Sequence, residues 1–194
     1  TQSYLEGRSE KFMAVASDAD FRRGYNLVEL LALEETPDSL ALSRLRREQL
    51  QEYRLGTTLD FGVDGNVTPY LLNGWSYPEG AIRWNNGKRA ALALPMEAID
   101  VPIMLRATVG GYVVPGKIDR QRVEVLLGPE KVGEWIIERR GFDEQQVLLD
   151  PSRVKGSGDL VLRFEAPDAV SPFAAGLGND IRRLAFAIKS LTLS

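Results

Sequence analysis

From residue 57 to the C-terminus, apolar and polar residues alternate in short runs, and this period of two constrains the fold most. Runs of this kind lie at 59–61, 91–94, 103–107, 123–127, 135–137, 147–149, 160–164 and 184–188. Turn residues separate them at intervals of roughly 8–20 residues, as in antiparallel sandwiches and barrels. The stretch 183–193 is expected to form a long last strand beside the first one, which would close a jelly roll. The sequence therefore predicts a mainly β fold, an antiparallel β-sandwich.

The first 55 residues have a different pattern, with apolar residues at helical spacing. Ser17 is typical of a helix start, and the leucines between residues 27 and 33 supply an apolar face. Thr36-Pro37 suits the cap and first position of a second helix, which is expected to end near Gly56. We therefore predict an N-terminal αα-hairpin over 1–55, acting as a connector, followed by a sandwich domain over 56–194.

The 194 residues include no cysteine and no histidine. Their absence excludes thiol catalysis, disulfides, thiolate zinc sites, histidine-based metal centres and Ser-His-Asp triads. The formal net charge of −3 gives no electrostatic preference for nucleic acid or an anionic membrane. No apolar run approaches the ~20 residues of a membrane span. Because the first residue is Thr1 and not methionine, we expect a processed chain or a fragment of a longer protein.

Aromatic, charged and amide side chains are most concentrated between residues 73 and 87, which hold two of the three tryptophans. Aromatic faces stack on the C–H faces of sugars, while carboxylate and guanidinium groups bind hydroxyls in pairs. We predict carbohydrate contacts at four residues of this segment: Trp75, Tyr77, Glu79 and Arg83. The alternative is that the tryptophans fill the core. It stays open for Trp75, which is expected with Tyr77 in a proline-containing loop, and is favoured for Trp84, which stands where a strand is expected to begin. Asn85-Asn86-Gly87 is expected to form a hairpin turn.

A second unusual segment covers residues 171–184. Gly176 and Gly178 permit backbone turns that are closed to other residues. We expect Asn179, Asp180 and Arg182 to adjoin the carbohydrate site or to brace it. The alternative is a buried ion pair, in which Asp180 binds Arg182, Arg183 or Arg83 and staples the loop before the last strand. Since the first and last strands of a jelly roll are often neighbours, both segments are expected to meet at one end of the sandwich.

Metal and acid–base chemistry receive weaker support. Asp60, Asp64 and Asn66 carry oxygens of the kind that bind structural calcium, although Asp64-Gly65-Asn66 also fits an ordinary turn. No other metal and no cofactor is predicted. Glu79 lies among aromatic residues, but a lone glutamate does not define a glycoside hydrolase, which needs two carboxyl groups. The domain is therefore predicted to be non-enzymatic, with a carboxylate-based hydrolase as the least favoured alternative.

Both segments resemble a known family in their order and spacing. The residues are Gly74-Trp75-Ser76-x-Pro78-Glu79-Gly80-x-x-Arg83-Trp84-x-x-Gly87, then Ser171-Pro172 and Gly176-Leu177-Gly178-Asn179-Asp180-x-Arg182. They are similar to the C-terminal extracytoplasmic domain of bacterial integral-membrane glycosyltransferases and phosphoglycerol transferases of the membrane-glucan type. The resemblance covers about residues 57–194. Ala185 departs from it, because glycine is expected there.

This resemblance implies a non-catalytic accessory domain, similar to a carbohydrate-binding module, on the periplasmic face of the inner membrane. It would hold a glycan acceptor or product, or a lipid-linked saccharide, near the membrane, beside the membrane-embedded portion of its parent protein. The alternative function is structural. In that case the domain docks on the membrane portion or on a partner protein through the αα-hairpin, whose apolar residues 27–33 would form the contact.

Overall fold

The computed structural model describes residues 51–97, 101–150 and 159–194. A single turn of 3-10 helix covers Thr68–Tyr70. Over these ranges the chain forms ten strands: β1 (Thr58–Asp60), β2 (Trp75–Glu79), β3 (Ile82–Asn85), β4 (Arg89–Pro95), β5 (Ile103–Gly111), β6 (Gln121–Leu127), β7 (Glu130–Ile137), β8 (Phe142–Leu149), β9 (Asp159–Glu165) and β10 (Phe186–Leu193). In the described part of the chain, no helix has the length and hydropathy that a membrane crossing requires.

The strands form two sheets, and all their pairings are antiparallel. Sheet A has the order β2-β3-β10-β5-β8, and β1 also pairs with β10. Sheet B has the order β4-β9-β6-β7. The expectation of a mainly β, antiparallel fold is confirmed. The last strand lies at the centre of sheet A and pairs with the first through Thr58↔Thr192 and Leu59↔Leu191, so the predicted neighbourhood of the first and last strands is also confirmed.

Both sheets contribute to one hydrophobic core, and aromatic rings join them. The ring of Phe164 in sheet B lies with its centroid 6.0 Å from Trp75 and 5.8 Å from Phe186, both in sheet A. Trp135 of sheet B packs on the same Phe164 ring at 5.4 Å. The alternation seen in the sequence places these residues inward, because successive side chains of a strand point to opposite faces.

The N-terminal edge of the described chain differs from the expectation of a helix that ends near Gly56. Residues 51–54 are not helical, and Tyr53 is buried in the sandwich core. Its N–H donates to the Pro95 carbonyl, and its hydroxyl accepts the N–H of Leu193 at 3.0 Å. These contacts hold the backbone in line with the sheets and exclude a helical ladder there. The rest of the predicted αα-hairpin, residues 1–50, lies outside the described residues.

The hairpin β2–β3 corrects a second expectation, which placed Trp75 and Tyr77 in a loop. Pro78 suggested a loop, since proline cannot donate a hydrogen bond to a sheet. Here β2 is the edge strand of sheet A, and an edge strand tolerates proline. A bulge between Trp75 and Pro78 adds one unpaired residue to β2. The segment that carries most of the predicted site is therefore a strand pair.

Candidate functional site

Trp75 is a core residue, and its assignment as a sugar contact is corrected. Its side chain is only 7% exposed. The indole N–H donates to the Ala91 carbonyl at 2.8 Å, and the ring lies 5.3 Å from Phe61 and 5.9 Å from Phe186. The ring packs on aromatic neighbours and its N–H is hydrogen-bonded within the sandwich, so the side chain offers no platform to a ligand. The alternative that the sequence left open for Trp75 is the one observed.

The other tryptophan of the hairpin lies on the opposite face of sheet A. Trp84 is opposite Ala187 on β10, and Ala187 is opposite Gly110 on β5. Gly110 is in turn opposite Phe142 on β8. Residues in register across a sheet share a face, and this row alternates with the core residues Phe186 and Ile188. The row therefore lies on the outer face of sheet A. The expectation that Trp84 fills the core is wrong, because the register of the β2–β3 hairpin turns the Trp84 side chain to the outer face of sheet A.

Three aromatic side chains cover the small residues of this row, and we call them the aromatic shelf: Trp84, Tyr112 and Phe142. The rings of Trp84 and Tyr112 meet edge to face, with centroids 6.3 Å apart. Phe142 is 41% exposed, and its ring leans over Gly110, where an added Cβ would lie 3.0 Å from the ring. Ala187 is fully buried beneath the shelf. The small side chains of glycine and alanine thus leave room for the large rings on this face.

Polar side chains form two further rows beside the shelf on the same face. The near row contains Asp60, Ser190, Thr108 and Glu144, and the next contains Thr58, Thr192, Arg106 and Gln146. The hydroxyls of Ser190 and Thr108 bond to each other at 3.1 Å, and those of Thr58 and Thr192 at 3.0 Å. The carboxylates of Asp60 and Glu144 lie in exposed residues at the two ends of the near row. The outer face of sheet A thus combines exposed aromatic carbon with hydroxyl, carboxylate, amide and guanidinium groups.

The two sequence segments meet in an ion-pair network beyond this face. Arg182 binds the carboxylate of Glu79, 103 residues away, at 2.6 Å and the carboxylate of Asp180 at 2.6 Å. The Asp180 carboxylate also accepts the backbone N–H of Arg182 at 2.9 Å. The predicted ion pair between Asp180 and a neighbouring arginine is confirmed, although both side chains are partly exposed and not buried. The meeting of both segments is also confirmed. This network, Glu79–Arg182–Asp180, braces the loop.

Because of this network, the free energy of unfolding of the domain should fall at acid pH. Hydrogen bonds from Arg182 hold the pKa of the Asp180 carboxyl below its usual value, against a smaller opposing effect of burial. The pair therefore stabilises the fold above the ordinary aspartate pKa of about 3.9, and this contribution is lost as the pH falls through the lowered folded value. Since the pair is partly exposed, we expect Asp180→Asn to cost about 1 kcal/mol or less at neutral pH. Urea unfolding from neutral to acid pH should show a shallower acid loss for Asp180→Asn than for the wild type, whereas the exposed-loop control Asp64→Asn should follow the wild type.

The remaining predicted contacts are distributed around these features. Arg83 is opposite Ile188, a core residue, and its guanidinium donates to the Ser76 carbonyl at 3.2 Å, so it braces the hairpin on the face away from the shelf. Tyr77 is half-buried within the bulge of β2, and Asn179 is exposed. A sugar-binding role for Tyr77 and Asn179 stays a prediction.

The calcium candidates form a turn held by its own side chains. The Asp60 carboxylate accepts the N–H of Gly62 at 2.7 Å, and the Asn66 side-chain oxygen accepts the N–H of Asp60 at 2.8 Å. Within the described ranges, no three acidic side chains gather into a group that could hold a metal ion. Structural calcium at Asp60, Asp64 and Asn66 stays a prediction.

Sequence reasoning missed two parts of the arrangement. Tyr112 follows β5 and Phe142 begins β8, and periodicity is weakest at the ends of strands. The feature that could have indicated their position is the small residue Gly110, which lies opposite Phe142. Asn85 is expected from the sequence to form a hairpin turn with Asn86 and Gly87. Its side chain is fully buried, and its Oδ1 accepts the N–H groups of two residues at the start of the last strand, at 2.8 and 2.9 Å: Ala185 and Phe186.

No protein-family model and no curated protein matches the sequence. Among solved structures, the chain is similar to the CBM36-1 domain of a multidomain xylanase from the hindgut metagenome of Trinervitermes trinervoides, with 12% identity, 71% of this chain and 95% of that chain covered, and a TM-score of 0.40. It is also similar to the C-terminal CBM6 of LamC, a marine laminarinase from Zobellia galactanivorans, with 13% identity, coverage of 71% and 99%, and a TM-score of 0.38. A Xyl-CBM35 in complex with a glucuronic acid-containing disaccharide matches with 14% identity, coverage of 75% and 91%, and a TM-score of 0.33. The fold assignment above rests on the strand pairing of this chain, since these TM-scores are low.

Proposed function

We propose that residues 56–194 form a non-catalytic carbohydrate-binding domain whose glycan lies across the outer face of sheet A. The observation that carries the proposal is the aromatic shelf of Trp84, Tyr112 and Phe142 beside two rows of polar side chains on one sheet face. The rings offer flat apolar surface to the C–H face of a pyranose. Asp60, Glu144 and the hydroxyl pairs offer acceptors and donors to its hydroxyl groups.

The geometry of the face suits a glycan chain that runs across the strands. From β3 to β8 the shelf spans three strand spacings, about 14 Å at ~4.8 Å each. The polar rows run parallel to the shelf, because both follow the registers of β10, β5 and β8. A chain on the shelf therefore has aromatic carbon beneath it and hydrogen-bonding groups along one side.

The carboxylates of the ion-pair network do not favour a hydrolase. A glycosidase needs a carboxylic acid with a raised pKa and a second carboxylate, separated by about 5–10 Å of space for the substrate. Glu79 and Asp180 both bind the guanidinium of Arg182, which therefore occupies the space between them. Arg182 also lowers the pKa of Asp180, the reverse of what a general acid requires. These two carboxylates serve as a brace.

The finer parts of the proposal rest on the sequence resemblance. We propose that the domain belongs to a membrane glycosyltransferase or phosphoglycerol transferase and lies on the periplasmic face of the inner membrane, where it holds a glycan acceptor, a product or a lipid-linked saccharide. We also propose that the sandwich is a jelly roll. In support, the chain changes sheet between β3 and β4, between β4 and β5 and between β5 and β6.

A glycan array probed with the full chain tests the binding function. We expect binding to at least one class of neutral or weakly charged polysaccharide, weakened about tenfold or more by Phe142→Ala, which corresponds to ~1.4 kcal/mol. Trp84→Ala should have a similar effect, because both rings belong to the shelf. Ile136→Ala is the matched control, since Ile136 is a comparably exposed apolar residue on a strand of sheet B.

Two results would contradict the proposal. One is an array on which no glycan binds the wild type. The other is a bound glycan whose affinity is the same for Phe142→Ala, Trp84→Ala and Ile136→Ala, which would place the glycan elsewhere. Melting curves of each variant distinguish the loss of a glycan contact from unfolding of the domain.

A further inference from the structure

The strand β8 is an edge of sheet A that lacks the usual protection of an edge. In the part of the chain that the structure describes, β8 pairs with β5 along its whole length without a bulge, and no strand pairs with its other side. Its sequence contains no proline, lysine or arginine. Natural proteins usually place such residues or a bulge on an edge strand, because its free backbone groups can pair with another strand. The strand β8 is therefore open to strand pairing.

The other end strands of the two sheets are protected. The strand β2 contains Pro78 and a bulge. The strand β7 contains Lys131, and a bulge interrupts its pairing with β6. Along β4, the N–H of Ala91 donates to the Asn73 carbonyl at 3.0 Å, so a loop segment already bonds to that edge. This contrast distinguishes β8 from the other end strands of the described sandwich.

The hydrogen bonds of β5 show which backbone groups of β8 face the open side. Met104 on β5 and Ser194 after β10 exchange two hydrogen bonds, at 2.7 and 3.0 Å, so the backbone groups of Met104 face β10. Because this direction alternates along a strand, the groups of the next residue, Leu105, face β8 and its partner Val147. The same alternation along β8 directs the N–H and C=O of Gln146, and of every second residue from it, away from β5.

These directions limit how a second copy of β8 can pair with the first. In an antiparallel twofold pair, the hydrogen-bonded residues must both direct their groups to the open side. Two of the allowed registers bring like charges together, with Glu144 opposite Glu144 or Asp143 opposite Asp143, and are disfavoured. A third places Glu144 opposite Leu148. In the remaining register Glu144 lies opposite Gln146, and Phe142 lies opposite Leu148.

This last register also covers exposed apolar surface. Phe142 is 41% exposed and Leu148 is 58% exposed, and both lie on the outer face of sheet A at the open edge. Each would meet the other residue of the second copy, so the pair forms twice across the twofold axis. Asp143, which binds Arg139 within its own chain at 2.6 Å, would lie opposite Val147 of the second copy. No two carboxylates face each other in this arrangement.

We propose that the protein forms a homodimer in which β8 pairs antiparallel with β8 of a second copy, with Glu144 of each copy opposite Gln146 of the other. Sheet A then continues across the interface, and the outer faces of both copies lie on the same side. The proposal does not depend on carbohydrate binding, since it rests on the edge of the sheet and on its register.

Sedimentation velocity of the full chain at increasing concentration tests the proposal. We expect a dimer that Gln146→Lys strengthens, because each lysine faces Glu144 of the other copy, and that Gln146→Glu weakens by about fivefold or more, because two like-charged pairs arise. The difference between these variants should shrink as salt rises. Leu148→Lys should also weaken the dimer. Val63→Lys is its matched control, since Val63 is 62% exposed in a loop outside β8.

The variant Gln146→Pro tests the backbone contribution. The Gln146 N–H faces the open side, so proline removes a donor of the interface and leaves the bonds to β5 in place. We expect a monomer whose melting temperature matches that of the wild type at concentrations where the wild type is also monomeric. Gln145→Pro should lower the melting temperature instead, because the Gln145 N–H faces β5.

Three results would overturn the proposal. The first is a wild type that stays monomeric at every concentration. The second is a dimer that Gln146→Lys weakens or that both charged variants of Gln146 affect equally, since another register or another surface would then form the contact. The third is a folded Gln146→Pro variant that dimerises as the wild type does. If Gln146→Pro fails to fold, the charged variants still decide, because the Gln146 side chain is exposed.

Discussion

Replacing Asn85 with leucine should lower the free energy of unfolding by about 3–5 kcal/mol, although the side chain is a single amide in a turn-like sequence. The Oδ1 atom accepts the N–H groups of Ala185 and Phe186, and the Nδ2 group donates to the carbonyls of Gly87 at 2.6 Å and Arg183 at 3.4 Å. Leucine preserves the volume and removes every one of these bonds. Each buried N–H left without a partner costs about 1–3 kcal/mol.

Urea unfolding of Asn85→Leu measures this loss. Asn86→Ala is the matched control, because Asn86 is the exposed neighbour in the same turn, and its change should stay within about 0.5 kcal/mol. The Leu variant should also lose hydrogen-exchange protection at the N–H groups of Ala185 and Phe186. An unfolding free energy within about 1 kcal/mol of the wild type would show that the strand start is held by other contacts.

The strands of the sandwich were predictable where periodicity alone determines them. Leu59 and Leu92 alternate with polar or small residues, and each lies in a strand with its side chain inward. The β2–β3 hairpin was not predictable in this way, because Pro78 and the bulge beside it break the alternation. Asn85 gave no signal of burial, since an Asn-Asn-Gly sequence is equally typical of an exposed turn.

The sequence predicted which residues form the site better than it predicted where they lie in the fold. The sequence located Glu79, Asp180 and Arg182, and the prediction that both segments meet is confirmed by the ion pairs. It assigned the two tryptophans of the hairpin to the wrong faces. Trp75 and Trp84 lie on neighbouring strands, and a shift of one residue in register exchanges inward and outward faces. That register depends on the bulge in β2 and on the pairing of β3 with β10, which are tertiary features.

Trp75 lies in the core and Trp84 lies on the outer face, and this difference gives the second large prediction. Trp75→Ala should lower the free energy of unfolding by about 3–5 kcal/mol, because it empties a core position between both sheets. The indole contacts Phe61, Phe164 and Phe186, and its hydrogen bond to the Ala91 carbonyl is also lost. The sequence interpretation of Trp75 as a sugar platform expects the reverse, a loss of glycan binding at an unchanged melting temperature.

Trp84→Ala is the control for this prediction, since Trp84 is half-buried on the outer face and contacts Tyr112. We expect it to cost less than half as much stability as Trp75→Ala. Trp75→Phe, which keeps an aromatic ring in the core, should recover part of the loss without restoring the hydrogen bond. Denaturant unfolding of all three variants, read by circular dichroism, makes the comparison. If Trp84→Ala destabilises the fold more than Trp75→Ala does, the faces assigned to the β2–β3 hairpin are reversed, and the aromatic shelf loses the ring at its β3 end.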